Sequence, residues 1–197
     1  MRVKLLSSAL SVCDMERFAA LAALTCHANT EKEHEPSEVL KRIIKAGHES
    51  ILEHINLSFS IQGLSRACLQ ELARHRHLSM SVESTRHTLR KHVEDMPISA
   101  ENGEYLYLEK FNRAFRDFAD SHPNMPNDEL KYYLPEFWPT NLIITLNVRE
   151  FRHILDLRTS PAALREFRDL ARSMFNEVPD QFKYLLSDCV HEEVSNG

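Results

Sequence analysis

The chain has 197 residues with a formal net charge of −5, and its content of 43% hydrophobic and 27% charged residues is typical of one compact domain. Its apolar runs, such as 142–146, are far shorter than the ~20 residues of a membrane span, and residues 1–4 lack the apolar segment of a secretion signal. Its four scattered cysteines show no CxxC spacing, which argues against a disulfide framework or a structural zinc site, so we expect a cytoplasmic protein with reduced thiols.

Residues 1–47 predict one short strand and two helices. Residues 2–6 alternate weakly, as in a strand, and Asp14 is expected to cap the first helix. The apolar face of that helix comprises Phe18, Leu21, Ala22 and Cys26. The second helix is expected between an N-cap at Ser37 and a stop at Gly47. Its apolar stripe comprises Val39, Leu40, Ile43 and Ile44.

Residues 48–84 predict a strand between two helical segments. One helical turn is expected near residue 50, because Ser50 and Glu53 have capping-box spacing. Strict alternation over 55–62 then predicts a strand with one buried face, ended by Gly63. A helix follows, with one face formed by Leu64, Cys68 and Leu72. The hydroxyl-rich stretch beyond it, around Ser79, Ser81 and Ser84, is expected to be a loop or extended.

Residues 105–179 predict three helices and one more strand. The first helix has a core-facing side formed by Tyr105, Leu108, Phe111, Phe115 and Phe118. A connection at 124–128 leads to a buried strand at 142–146, and Asn147 with Glu150 forms a good N-cap for the next helix. Ser160 and Pro161 begin the last helix, which Pro179 closes. Many helices with a few non-adjacent strands indicate an α+β fold, in a single domain over 1–197.

The glycine content limits how a nucleotide could be bound. Only four glycines occur, and neither a GxGxxG turn nor a GxxxxGK[ST] loop can be written. Side chains must therefore hold any phosphate. Between residues 64 and 92 lie six cations and two acids, so this segment carries +4 on an acidic chain. Such a segment suggests a focused anion site rather than a surface that coats nucleic acid or membrane.

The densest cationic cluster is Arg74-His75-Arg76, which Ser84 and Arg86 follow. Guanidinium groups offer bidentate donors to phosphate oxygens, and serine hydroxyls can complete such a site. For the triplet alone, complementing the dipole at a helix C-terminus is an equally good interpretation. Ser84 and Arg86 favour phosphate binding.

These residues resemble the signature of the flavin-dependent thymidylate synthases, which is RHR, seven residues, then Ser. Arg74-His75-Arg76 and Ser84 reproduce that spacing. Two flanking motifs also match, in order along the chain from about Gly47 to Pro179. The upstream, flavin-side motif is matched by His48, Ser50, Glu53 and His54. The C-terminal motif is matched by Asn147, Arg149, His153, Leu157 and Arg158.

The resemblance implies an enzyme that methylates dUMP to dTMP, with FAD as cofactor and with 5,10-methylenetetrahydrofolate and NADPH as co-substrates. It also implies a small curved mixed or antiparallel sheet with flanking helices, and a homotetramer with shared active sites. FAD would be bound by His48, Ser50, Glu53, Arg74, His75, Arg76, Val82, Asn147, Val148, Arg149 and His153. The substrate dUMP would be bound by Glu71, Arg74, Val82, Glu83, Ser84, Thr85, Arg86, Lys131 and Arg158.

Arg158 would be the catalytic residue, because a guanidinium at the N3 edge of uracil stabilises negative charge there and activates C5. In this role no protein nucleophile is needed. The chain departs from the commonest family pattern at five positions. Asn, Glu, Tyr, Arg and Gln are the frequent residues where this chain has Ser81, Val82, His87, Lys131 and Glu71.

Two other functions fit the sequence less well. Eleven histidines invite a metal-dependent hydrolase, but HExxH is absent and HxxEH fails at Ser50, so we expect no metal. The main alternative is a nucleic-acid-binding module that uses the basic segment Arg66–Arg90. The acidic remainder of the chain and the lack of interleaved aromatic residues count against it.

Overall fold

The computed structural model describes residues 1–26, 34–95 and 106–192, with the side chains of 94–95 and 106–109 left aside. The chain divides into two compact units. The first unit comprises residues 1–81 and 139–197, and the second comprises residues 82–138. The expectation of a single domain over residues 1–197 stays a prediction.

A four-stranded sheet organises the first unit. Its strands are β1 (Arg2–Leu5), β2 (Asn56–Ser65), β3 (Leu78–Val82) and β4 (Pro139–Asn147). They lie in the order β1-β2-β4-β3, and β2 pairs antiparallel with both β1 and β4. The α+β prediction with a small sheet is confirmed, and the segment around Ser79 and Ser81 is a strand.

Strand β2 owes its length to a bulge at Gly63. Leu57, Phe59 and Ile61 point into the core, as strict alternation predicts. The pairing with β4 then skips Gly63, which has a φ of +73°, a value that L side chains rarely adopt. The strand therefore continues to Ser65. The prediction that Gly63 ends the strand was wrong, because the left-handed backbone absorbs one residue without breaking the pairing.

Helix α1 (Ala9–Thr25) turns a different face inward from the predicted one. Its cap is Ser8, whose hydroxyl accepts the Ser11 N–H at 3.1 Å, and Asp14 lies inside the helix. Buried positions of α1 include Ala19, Ala20 and Ala23. The bulky predicted positions Phe18 and Leu21 are 57% and 49% exposed. Small residues bring the helix close to its neighbours, so selecting the face by side-chain size gave the wrong side.

Two more helices precede β3. Helix α2 (Pro36–Lys45) begins after Glu35 instead of Ser37, because proline is favoured at the first helical position. Gly47, at a φ of +72°, follows its end as predicted. The expected turn near residue 50 is a 3₁₀ helix, Glu49–His54. Helix α3 (Arg66–Leu72) is capped by Ser65, and Leu64 belongs to β2 and not to this helix.

The second unit is helical. It contains α4 (Thr85–Asp95), α5 (Leu106–Ser121), α6 (Asn127–Leu130) and a 3₁₀ helix, Lys131–Tyr133. Its core includes Phe115 and Trp138, and Phe111 and Phe118 pack at the edge of that core. Helix α4 was not predicted, and α6 occupies part of the expected connection at 124–128. Tyr105 lies outside the described residues.

The last helices return to the first unit. Helix α7 (Val148–Arg158) begins at Asn147, whose side chain accepts the Glu150 N–H at 2.8 Å, so the predicted cap is confirmed. Helix α8 (Arg165–Glu177) begins well after Ser160, because residues 161–163 form a turn. The 3₁₀ helices Asp180–Leu185 and Ser187–Cys189 follow. None of the helices described here is long and apolar enough to cross a membrane.

Candidate functional site

Two adjoining clefts lie on the first unit, and α7 contributes to both. The larger cleft has a volume of about 580 Å³ and is lined by Glu49, Glu53, His77, Asn147, Arg149, Glu150, Arg152, His153, Asp156 and Cys189. The smaller cleft has a volume of about 410 Å³ and is lined by Glu71, Arg74, His75, His153, Leu157, Arg158, Ala162 and Ala163. His153 belongs to both walls, so the two clefts meet at its imidazole.

The cap of α7 places polar groups along the larger cleft. Once Asn147 fixes the start of the helix, Arg149 and His153 lie four residues apart on its exposed side. Arg149 donates to Glu53 at 2.6 Å. Glu53 itself lines this cleft, and a different carboxylate, Glu150, reaches His75.

Arg152 links the C-terminal segment, residues 185–188, to the wall of the larger cleft. It is 5% exposed and donates to Glu49 at 3.0 Å, to both oxygens of Asp188 at 2.6 and 2.7 Å, and to the Leu185 carbonyl at 2.7 Å. Burial alone would lower the pKa of Arg152, but the hydrogen bond to Asp188 and the nearby charges raise it. Sequence reasoning missed this group, because its members come from three distant parts of the chain.

Arg158 lies in the smaller cleft and is held from three sides. Its Nε donates to Nε2 of His75 at 3.0 Å, and its Nη1 donates to Glu71 at 2.9 Å. The guanidinium also lies over the Phe167 ring, 4.7 Å from the ring centroid. Arg74 lines the same cleft. One arginine of the RHR triplet and one arginine of α7 therefore lie on the same cleft.

His75 is the buried centre of the RHR triplet. Its Nδ1 lies 3.3 Å from Oε1 of Glu150, which is also buried. Burial and the positive charge of Arg158 lower the pKa of His75, and Glu150 opposes this only in part. The ring is therefore neutral at neutral pH. In the sequence, Glu150 was notable only because it lies three residues after the N-cap Asn147. No sequence pattern indicated its contact with His75.

The remaining predicted residues of the first unit lie outside the two clefts. His48, Ser50 and Arg76 are exposed, and Val148 is buried, so only its backbone could contact a ligand. None of these four is among the residues that line either cleft in the described part of the chain.

The other predicted substrate-binding residues belong to the second unit. Ser84 precedes α4, and Val82, Glu83 and Thr85 flank it. Arg86 donates to Asp128 at 2.7 Å and Lys131 donates to the same carboxylate at 3.1 Å. The hydrogen bonds from Arg86 and Lys131 lower the pKa of Asp128 to about 2. Asp128 thus already bridges the two cations that were expected to meet a phosphate.

Two of the four cysteine thiols, Cys68 and Cys189, are poorly suited to nucleophilic catalysis. Cys68 is fully buried, and burial raises its thiol pKa to about 12. Cys189 lines the larger cleft, and burial raises its pKa to about 11. Across the described residues, no group of three or more histidine, cysteine or acidic side chains could hold a metal ion.

Known proteins resemble this chain over most of its length. A flavin-dependent thymidylate synthase of Campylobacter jejuni is 38% identical over 202 residues, covering 94% of this chain and 95% of the relative. One from Helicobacter pylori is 41% identical over 160 residues, covering 73% and 76%. Residues 5–182 match the family described as thymidylate synthase complementing protein. The chain belongs to the flavin-dependent thymidylate synthase family.

Solved structures of this flavin-dependent thymidylate synthase family share the fold. The crystal structure of thymidylate synthase X from Helicobacter pylori with FAD and dUMP superimposes with a TM-score of 0.83 at 32% identity. It covers 98% of this chain and 100% of that protein. The family membership that the RHR signature predicted is confirmed, and the chain is an enzyme of this family.

Proposed function

We propose that this chain methylates dUMP to dTMP with FAD as cofactor, 5,10-methylenetetrahydrofolate as carbon donor and NADPH as reductant. The observation that carries the proposal is the pair of adjoining clefts that meet at His153. One cleft has the volume of a cofactor site, and the other holds two arginines that can face a pyrimidine nucleotide. The crystallised relative from Helicobacter pylori was solved with both FAD and dUMP.

The residues of the larger cleft fit FAD. Its volume of about 580 Å³ lies within the usual range for sites of this kind. Glu49 and Glu53 are paired with Arg152 and Arg149, so two of the four carboxylates that line this cleft have a cationic partner. Donors from Arg149, Asn147 and His153 would hold the pyrophosphate and adenosine without a glycine loop. When bound, FAD supplies the reducing equivalents that NADPH delivers.

Arg158 has the setting that charge stabilisation on uracil requires. It is fixed on one side by His75 and Glu71 and lies over Phe167, so it needs little reorganisation to meet a ring in the cleft. Its guanidinium would stabilise negative charge at N3, which makes C5 the nucleophile. Cys68 and Cys189 have raised thiol pKa values, which supports a reaction without a nucleophile from either of them.

We propose that residues of the second unit bind the dUMP phosphate. Ser84, Thr85, Arg86 and Lys131 offer hydroxyl groups and cations, and Val82 and Glu83 offer backbone groups. A phosphate with a charge near −2 would replace Asp128 between Arg86 and Lys131. Both ion pairs are exposed, and exposed pairs contribute little to stability. Replacing the Asp128 carboxylate by the phosphate should therefore cost little free energy.

We assign the chain to a homotetramer in which subunits share active sites. Helix α1 supports the assembly, because Leu10, Phe18 and Leu21 are between 49% and 73% exposed. Apolar side chains of this size are commonly covered by another subunit. Sedimentation velocity should give four copies, and a fully active monomer would contradict the assignment.

Oxidation of NADPH in the presence and absence of dUMP tests the activity. Purified protein should be yellow or become so with added FAD, and dTMP should form only when folate is also present. Arg158→Ala should lower turnover by about 10²–10³-fold while FAD stays bound. Arg165→Ala, an exposed arginine at the start of α8, is the matched control. Wild-type turnover in Arg158→Ala would remove that residue from the mechanism.

A further inference from the structure

Glu150 is a buried carboxylate that the proposed reaction leaves without a role. Its side chain is 8% exposed, and among the described residues its one hydrogen-bonding or ionic contact is Nδ1 of His75. Burying a carboxylate costs free energy unless its oxygens are hydrogen-bonded. A neutral imidazole repays less of this cost than an arginine would.

The donors around His75 determine where the ring carries its proton. The Nε of Arg158 bears a hydrogen and can only donate, so Nε2 of His75 must accept at their 3.0 Å distance. A neutral ring that accepts at Nε2 carries its proton on Nδ1. Glu150, as a carboxylate, is then the acceptor of that proton. The opposite tautomer would point two N–H groups at each other and leave the carboxylate facing a lone pair.

We propose that Glu150 is a positioning residue, whose carboxylate fixes the Nδ1–H tautomer of His75 so that Nε2 of that ring orients the Arg158 guanidinium in the cleft. The proposal rests on the function assigned above to Arg158. Glu150 also lines the larger cleft, and in this role it acts on Arg158 through His75. The cap at Asn147 contributes as well, because it fixes the first turn of α7 from which Glu150 reaches the ring.

This arrangement fixes the orientation of the Arg158 guanidinium. With Nε held by His75 and Nη1 held by Glu71, the guanidinium plane cannot rotate about its long side chain. A catalytic group held in one orientation loses little entropy when the reaction begins. Carboxylates that fix a histidine tautomer are effective in other enzymes for the same reason.

Glu150→Gln tests the proposal with almost no change in volume. An amide can donate as well as accept, so it permits the Nε2–H tautomer that the carboxylate excludes. We expect kcat to fall about 10–100-fold, as for other changes that disturb an orienting contact, with FAD content and the KM for NADPH little changed. Glu177→Gln, a surface carboxylate that accepts the Leu5 N–H, is the matched control and should keep wild-type kcat. Wild-type kcat in Glu150→Gln would overturn the proposal.

Nitrogen-15 NMR of the imidazole groups reports the tautomer directly. The His75 signal is identified by its loss in His75→Gln. Wild-type protein at pH 7.5 should show the Nδ1–H pattern, and Glu150→Gln should show a mixture. An Nε2–H or charged His75 in the wild type would overturn the proposal, even if Glu150→Gln fails to fold. If the wild-type protein forms no dTMP, the proposed function fails, and the spectrum still decides the tautomer.

Discussion

Asp188→Asn should weaken the attachment of the C-terminal segment to α7. The Asp188 carboxylate accepts two hydrogen bonds from Arg152, at 2.6 and 2.7 Å. A hydrogen bond to a charged group contributes about 1.5–3 kcal/mol when it is well shielded. The Asp188 side chain is 54% exposed, so solvent screening reduces that value, and the amide retains one acceptor. We expect a loss of about 1–2 kcal/mol in the free energy of unfolding, since Arg152 itself is buried.

Urea unfolding followed by circular dichroism measures this loss, and thermal unfolding should show a Tm lower by about 2–8 °C for a chain of this size. Asp180→Asn is the matched control. Asp180 also accepts from a nearby cation, Lys183, but its side chain is 94% exposed, so its replacement should leave the unfolding curve unchanged. In an Arg152→Met background, Asp188→Asn should have no further effect. Equal unfolding curves for Asp188→Asn and the control would refute the role assigned to Arg152.

Three further changes test the fold and the site. Asn147→Ala removes the cap of α7 and should cost about 1 kcal/mol in urea unfolding; an unchanged midpoint would contradict the capping role. Gly63→Ala places a side chain at a φ of +73° and should cost about 1–2 kcal/mol, whereas a stabilised variant would show that β2 has shifted its pairing. The pKa of His75 lies below its ordinary value of 6.5, because the ring is buried beside Arg158, and this has two consequences as pH falls. The unfolded chain takes up the proton first, so stability decreases below about pH 6.5. The kcat then falls once Nε2 is protonated in the native enzyme. A kcat that stays constant over the pH range in which His75 is seen to take up its proton would contradict the contact with Arg158.

Local sequence patterns predicted the helices and strands that are determined by residues close together in the sequence. The alternation over 55–62 gave β2, and Asn147 with its hydrogen bond to the Glu150 N–H gave the start of α7. The spacing from Arg74 to Ser84 identified the family. In each case the residues that determine the structure are neighbours in sequence or recur at a fixed spacing.

Features that depend on distant packing were not predictable in this way. The buried face of α1 is set by alanines that let other helices approach, and side-chain size pointed to Phe18 instead. The link between Glu49, Arg152 and Asp188 joins segments about 100 and 36 residues apart. Glu150 meets His75 across 75 residues. These contacts arise only after the sheet and α7 are assembled.

His153 gives the two clefts a common wall, and this has a consequence for how ligands compete or cooperate. A ligand that displaces the His153 imidazole in one cleft changes the space that is available in the other cleft. Binding free energies at such neighbouring sites are coupled, and the coupling is reciprocal: whatever factor the first occupant applies to the second, the second applies to the first. A replacement of this single side chain should therefore change both affinities together.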